Sequence, residues 1–345
     1  MQMTRTILHT SLCDLLGCDV PVLLAGMGGV SRWELAAAVA NAGGFAMLGM
    51  VREDPDLIAT EVAALRAATD RRFAVNLIPA ATEPDLLNRQ IDQCLALKVP
   101  AFTFFWDVVP EAVARVKQAG CLVLHQVGTV DAAQAALDAG ADVLIAQGVE
   151  AGGHVHGRTG TLAFVEAVVA MSPVPVVATG GIATGAGLVS ALSLGAQGVQ
   201  CGTAFLATDE SFAHDAHKRS VVDARADDTL LTDVFVLNWP AQAAVRVIGN
   251  SVTDGLGYRH LGHDPAQLGH EVIAHEGDRP ILRYSTDSPL RNTMGDLEAM
   301  PHFAGHSVQA ITDIVPAAER LNRIVNEAES RLIALRHMNR ETAHV

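Results

Sequence analysis

The run Gln147-Gly-Val-Glu-Ala-Gly-Gly-His154-Val-His-Gly157 gathers an amide, four glycines and two histidines in eleven residues. An imidazole titrates near neutrality, so His154 can take or give a proton. Glycines beside it let a ligand approach the backbone. His154 and His156 alternate as a metal-ligand pair would. No Cys, Asp or Glu set nearby completes such a site, so no metal is expected. Glu150, on the same run, reads as a solvated carboxylate.

Two further runs, Ala178-Thr-Gly-Gly-Ile182 and Gln200-Cys-Gly-Thr203, offer glycine N–H groups and a threonine hydroxyl. That donor set suits a phosphate dianion. Neither run is a P-loop or a G-x-G-x-x-G turn in its required context, so NTP hydrolysis and Rossmann-type binding are not supported. Three weaker signals accompany them. In Ala25-Gly-Met-Gly-Gly-Val30 the glycines would let a flat ligand lie on the backbone, and they equally suit a tight turn. Asn76 places an amide at the end of an apolar run, where it must face a ligand or cap a loop. His125 and Gln126 are adjacent polar side chains, of which one would point toward the site; a loop carbonyl would equally satisfy the histidine.

Groups so far apart in the chain need a scaffold to bring them together. Apolar runs begin near Val20, Phe45, Phe73, Ala101, Cys121, Val143, Pro175 and Gly198, 20 to 32 residues apart. They alternate with Ala/Leu-rich stretches of helical length. Asn41-Ala-Gly-Gly-Phe, Gln118-Ala-Gly-Cys, Asp138-Ala-Gly-Ala and Ser193-Leu-Gly-Ala each put glycine where a helix C-cap would fall. Ser31-Arg-Trp-Glu34 has the form of a capping box, and Asp54-Pro55 and Thr82-Glu-Pro84 place proline in a first turn. Continuous apolar runs fit parallel strands covered on both faces. Eight such units predict an α/β fold, a (β/α)8 TIM barrel, with an open doubly wound sheet as the alternative. Barrel chemistry lies at the C-terminal ends of the strands, and each motif above follows such a run.

After Phe205 the pattern changes. Residues 207–305 carry seven of the fourteen histidines and are richer in charge and turns. They are expected to form a smaller, mostly α lid domain inserted after strand eight. Residues 1–206 and 306–345 would form the barrel, with Val315 to His337 as its closing helix and Met338 to Val345 frayed.

Lys and Arg number 24 against 38 Asp and Glu, a net charge of −14. Nucleic acid and anionic membrane are therefore poor partners. Met1 to Gly17 shows no basic region followed by an apolar stretch. The uncharged stretch Ala167 to Thr208 is broken by Pro173, Pro175 and glycines before it could span a bilayer. Five scattered cysteines without C-x-x-C argue against a disulfide framework. A reduced, soluble, cytoplasmic protein is expected. A homodimer is admissible, and no motif decides it.

Six segments together carry a family resemblance: Ala25-Gly-Met-Gly-Gly-Val-Ser31, Asn41-Ala-Gly-Gly44, Val75-Asn-Leu77, Ala146-Gln-Gly-Val-Glu-Ala-Gly-Gly-His154, Ala178-Thr-Gly-Gly-Ile182 and Val199-Gln-Cys-Gly-Thr-Ala-Phe205. With them the chain resembles the nitronate monooxygenase (2-nitropropane dioxygenase) family of FMN enzymes. Its relatives include flavin enoyl-ACP reductases and NAD(P)H:quinone reductases. The resemblance runs from Val20 to Thr208 and, more weakly, through Met294-Gly-Asp-Leu-Glu-Ala299. It implies an FMN-binding barrel with His154 as the catalytic residue. Gly26, Met27 and Gly28 would lie against the flavin ring, and Asn76, Gln126 and Gln147 would approach its polar atoms. Gly152 and Gly153 would flank it beside the histidine. Gly180, Gly181, Gly202 and Thr203 would hold the phosphate. Departures fall on the substrate side: Gly26 replaces a common proline, Gln126 stands where relatives have Lys or a small polar residue, Phe104-Phe-Trp-Asp107 differs, and His156 adds an imidazole.

The implied activity is oxidation of an alkyl nitronate or nitroalkane by O2, giving a carbonyl compound and nitrite. The alternative within the resemblance is reduction of the flavin by NAD(P)H and its reoxidation by a quinone or enoyl thioester. A barrel that only binds is disfavoured by His154 on a glycine-rich loop.

Overall fold

The apolar runs are rich in Val, Leu, Ile and Phe, residues that suit a pleated layer buried on both faces. The computed structural model describes residues 7–241, 243–257 and 259–341. In it these runs form β1 (Val22–Leu24), β2 (Ala46–Gly49), β3 (Phe73–Leu77), β4 (Ala101–Phe105), β5 (Leu122–Val127) and β6 (Val143–Gln147). A two-residue strand outside the barrel, β7 (Gly153–His154), follows, and then β8 (Val176–Thr179) and β9 (Gly198–Cys201). Each barrel strand starts within two residues of its expected position. They pair in parallel in the order β1-β9-β8-β6-β5-β4-β3-β2. A parallel bridge between Leu23 and Phe45 brings β2 back to β1. The sheet is therefore a nearly closed, TIM-like barrel, and the open doubly wound alternative is set aside.

Helix α1 (Ser11–Leu16) plugs the bottom of the barrel, where Leu12, Cys13 and Leu16 join Leu23, Phe45, Met47 and Ile145 in one buried cluster. Seven helices follow the first seven barrel strands: α2 (Trp33–Asn41), α3 (Pro55–Ala68), α4 (Pro84–Ala96), α5 (Pro110–Gln118), α6 (Val130–Ala139), α7 (Thr161–Met171) and α8 (Gly185–Ser193). Their glycine caps form as expected, with φ from +78° to +102° at Gly43, Gly120, Gly140 and Gly195. The expected capping box at Ser31 does not form. The cap of α2 is Arg32, and its first N–H, that of Trp33, donates to Glu61 of α3 at 2.8 Å. Ser31 instead donates to Ala25 O at 2.8 Å and so pins the glycine-rich loop after β1. No described helix is long and apolar enough to cross a membrane.

After β9 come α9 (Thr203–Leu206), α10 (Asp215–Asp223), β10 (Thr229–Thr232), β11 (Val245–Ile248), α11 (Ser251–Asp254), β12 (Val272–Glu276), β13 (Arg279–Leu282) and β14 (Thr293–Gly295). The mostly α content expected for residues 207–305 is thus corrected: five strands, two short α-helices and two 3-10 turns form there among the described residues. β-Branched residues in Val245-Arg-Val-Ile248 and Val272-Ile favour strands, and the Gly277-Asp278 turn closes a hairpin. β10 and β11 form a sheet with β7, placing Val245 opposite His154 and Arg246 opposite Gly153. Finally α12 (Ala317–Glu341) packs on α8 and α2 and completes the outer ring, as expected of a closing helix. Its backbone is helical through Glu341, past Met338 where fraying was expected; residues 342–345, like Met1 to Thr6, lie outside the described residues.

Candidate active site

The C-terminal ends of the strands open into a cavity of about 710 Å³, a size typical of small-molecule and cofactor sites. Gly26, Met27, Gly28, Asn76, Gln126, Gln147, Gly152, Gly153, His154, Gly180, Gly181, Gly202 and Thr203 all line it. Residues 207–305 supply the facing wall through Asn238, Trp239, Arg279, Leu290 and Phe303.

At one end the backbone itself makes the surface. Gly180 (φ +111°) and Gly181 (φ +71°) hold left-handed conformations that L side chains rarely adopt. A Cβ on Gly180 would also fall 2.9 Å from Thr161 Oγ1. Thr203 Oγ1 accepts from Gly305 N at 3.1 Å, so its O–H remains free to donate. Glu150 is not the solvated carboxylate expected. Its Oε2 accepts from Thr161 N and Thr161 Oγ1 at 2.8 and 2.7 Å, and the same hydroxyl lies 2.9 Å from Gly180 O. Glu150 therefore ties the loop after β6 to the loop after β8.

Two unmet acceptors sit along the middle. Asn76 donates through Nδ2 to Thr103 O at 3.1 Å, and its buried Oδ1 has no partner. Gln200 donates to Gln126 Oε1 at 2.8 Å, and its own Oε1 is buried and unpartnered. Buried oxygens of this kind call for N–H groups from a ligand. Gly26 is demanded by this arrangement, because a Cβ there would stand 2.3 Å from Asn76 Cβ. Of the pair on β5, Gln126 lines the cavity. His125 points to the opposite face of the strand, fully buried beside Phe104, and burial pushes its pKa down to about 4.

The other end is made of side chains. Gln147 braces the histidine loop: Nε2 donates to His154 O at 2.9 Å, and Oε1 accepts from His156 N at 3.2 Å. Arg246 donates to Val149 O at 3.0 Å from below. A Cβ on Gly152 would fall 2.5 Å from Gly305 N, so that glycine admits the neighbouring chain. The His154 ring lies flat on Trp239, with centroids 3.4 Å apart and planes 16° apart. Trp106 meets it edge-on at 6.4 Å, and Phe303 flanks it at 5.9 Å. Burial, and then the positive charge of Arg52, hold the His154 pKa well below the usual imidazole value. The ring is therefore neutral near pH 7, and its buried Nε2 has no partner. Such a nitrogen can accept a proton from a ligand or donate to one. His156 stacks on Trp106 at 4.5 Å and lines a separate small pocket with Gly128 and Arg158.

Sequence reasoning missed Trp239, Phe303 and Arg52 as site residues, and gave Gln200 only as the first residue of a phosphate-binding run. Scarcity was the available signal for the first: aromatic residues are 4% of the chain, with three tryptophans, and two of those meet here. Arg52 holds φ +58° and donates to Asn238 O at 3.3 Å, a strained position set by tertiary contact alone.

Comparison with known proteins gives a consistent picture. A family model described as "Nitronate monooxygenase" matches residues 9–89 and 80–327. A nitronate monooxygenase of Paraburkholderia phytofirmans is 30% identical over 94% of this chain and 97% of its own length. A Mycobacterium tuberculosis protein, (3aS,4S,5R,7aS)-5-hydroxy-7a-methyl-1-oxo-octahydro-1H-indene-4-carboxyl-CoA dehydrogenase, is 36% identical over 65% of this chain, and the match spans 63% of that relative. The structure of FabK from Thermotoga maritima superposes with a TM-score of 0.82 at 30% identity, covering 96% of this chain and 99% of that one.

Proposed function

Because this chain belongs to the nitronate monooxygenase family of oxidoreductases, we propose that it oxidises alkyl nitronates with O2 to a carbonyl compound and nitrite, with FMN bound in the barrel cavity. The family is generally FMN-dependent, and the lining of the cavity fits that group. Gly180, Gly181, Gly202 and the free O–H of Thr203 would hold its phosphate. Asn76 Oδ1 and Gln200 Oε1 are unmet acceptors, one of which could take the single ring N–H of the oxidised flavin, and Gly26, Met27 and Gly28 would give the ring a flat bed. When bound, FMN would supply the electron transfer that no side chain of the cavity can perform.

The chain's own part is binding, exclusion of water and proton transfer. Trp239, Trp106 and Phe303 wall the histidine end with apolar rings. Neutral His154 would take the proton from the carbon bearing a nitro group, or donate through Nε2 to the oxygens of a preformed nitronate. Residues 207–305 act in this reading as a small domain over the barrel mouth. The observation that carries the proposal is the buried, unpartnered Nε2 of His154 at one end of a cavity whose other end is a glycine cradle. The test is nitrite release from propyl-2-nitronate by FMN-loaded protein in air, without NADH or NADPH. Nitrite formed in step with oxygen uptake is expected; none would remove the proposal.

A second reading is favoured by the carboxyl-CoA dehydrogenase relative and the overlay on FabK. NAD(P)H would reduce the flavin, and a quinone or enoyl thioester would accept the electrons. Oxidation of NADH or NADPH dependent on such an acceptor would establish it.

A further inference from the structure

His154 and Trp239 lie at 3.4 Å, the contact distance of two flat rings, so nothing fits between them. A ligand can reach this pair only at its edges. Each ring nevertheless carries a buried nitrogen without a partner, Nε2 of His154 and Nε1 of Trp239, and both residues line the main cavity. The indole N–H can only donate. A buried donor left unmet costs free energy, so its persistence points to a partner supplied by the ligand.

The indole is also held in place. Trp106 packs edge-on against it at 5.9 Å and 89°. Its neighbour Asn238 holds φ +76°, accepts from Arg52 through its carbonyl at 3.3 Å and donates to Asp287 at 3.4 Å. Arg52 lines the same cavity, its guanidinium paired with Asp287 at 3.4 Å.

We propose that Trp239 is a substrate-binding residue whose indole N–H acts with the His154 imidazole as a two-donor clamp for the paired oxygens of a planar anion. The inference rests on the nitronate reading for the identity of that anion, since a nitronate is flat and carries two oxygens on one nitrogen. The clamp gives residues 207–305 a chemical role beyond covering the barrel. It also explains selection by shape: a planar two-oxygen head meets both donors at the edge of the stack, whereas an alcohol or ketone oxygen meets one.

The test separates the clamp from the reaction. Propionate keeps the two-oxygen head and alkyl chain of ethyl nitronate and cannot be oxidised in its place. Its binding to FMN-loaded protein is measured by titration calorimetry for wild type, for Trp239→Phe, and for protein carrying 3-benzothienylalanine at position 239. That last residue keeps the size and stacking of indole and removes only the N–H. The clamp predicts weakening by about tenfold or more in both, the loss of one hydrogen bond to an anion, with FMN content and thermal midpoint unchanged. The same variants should raise KM for ethyl nitronate more than they lower kcat. Equal propionate affinity in the benzothienyl protein and wild type, or no binding by wild type, would overturn the clamp. Weakened propionate binding in protein that releases no nitrite would keep the clamp and remove the nitronate reading. Unchanged propionate affinity and KM with normal nitrite release would do the reverse.

Discussion

At the phosphate-like end of the cavity the surface is backbone: Gly180 and Gly181 in left-handed conformations, Gly202, and one threonine hydroxyl. At the other end it is side chain, with His154 stacked on Trp239, Trp106 perpendicular beside that stack, and Phe303 alongside. The first end comes from turns local to β8 and β9, braced by Thr161 at Gly180 O and by Gly305 N at the Thr203 hydroxyl. The second exists only because β11 pairs with β7 and the 238–239 turn reaches over the barrel. In the proposed reading one end holds the ligand and the other decides what reacts. Separable defects at the two ends would confirm that division.

The largest effect is expected at the side-chain end. His154→Ala should lower kcat/KM on a neutral nitroalkane by ~10²–10⁴-fold, the usual contribution of a general base. FMN content should stay at the wild-type level, and loss of flavin would merge the two ends into one. Gly180→Ala should do the opposite. Strain at φ +111° and contact with Thr161 Oγ1 should raise the Kd for FMN by about 10- to 100-fold. Once saturated with FMN, the variant should turn over near the wild-type rate, which flavin-titrated kinetics would show.

Glu150→Ala blurs the comparison, because Glu150 ties the loop of His154 to the loop of Gly180. Removing it leaves Thr161 N without its partner, at a cost of about 1–3 kcal/mol. Thermal unfolding should shift down by a few degrees, with modest losses in both FMN affinity and turnover. A defect confined to one measurement would show that the tie does not couple the ends.

The smallest effects concern pH. His154 is held well below the usual imidazole range, so kcat/KM on a neutral nitroalkane should show no inflection near pH 6.5. Stability should respond to acid. His125, near 4, together with His154 and His217, is neutral in the fold where the unfolded chain would be protonated. The unfolded state therefore binds more protons below the ordinary value of 6.5. Their contribution is whole above that value and is lost as pH falls toward 4. Thermal midpoints should be level from about pH 8 to 7 and decline below about 6.5; a rise on acidification would contradict the neutral assignments.

The same contrast governs what could be read from the chain. The eight barrel strands and the glycine loops are legible because each depends on residues close in sequence: apolar runs, a C-cap glycine, a Gly-Gly turn. Trp239 and Arg52 carry no local signature; only tertiary pairing brings them to His154. Ser31 shows how a local rule can mislead. Its spacing to Glu34 suits a capping box, yet its hydroxyl is taken by Ala25 O, and Glu61 of the next helix meets the N–H of Trp33. The strands of residues 229–295 are three to five residues long, too short for a clear period-2 pattern, so an expectation of helices gave way to two small sheets. Glu150 looks solvated in sequence because its partner, Thr161, opens the following helix.

The most direct measurement is an anaerobic one. Purified, FMN-loaded protein is mixed with ethyl nitronate in the absence of NADH and NADPH, and the flavin colour is followed. The account predicts rapid loss of the oxidised flavin spectrum in wild type, slowed in Trp239→Phe. A flavin that stays fully oxidised with nitronate, yet bleaches at once with NADH or NADPH, would contradict it.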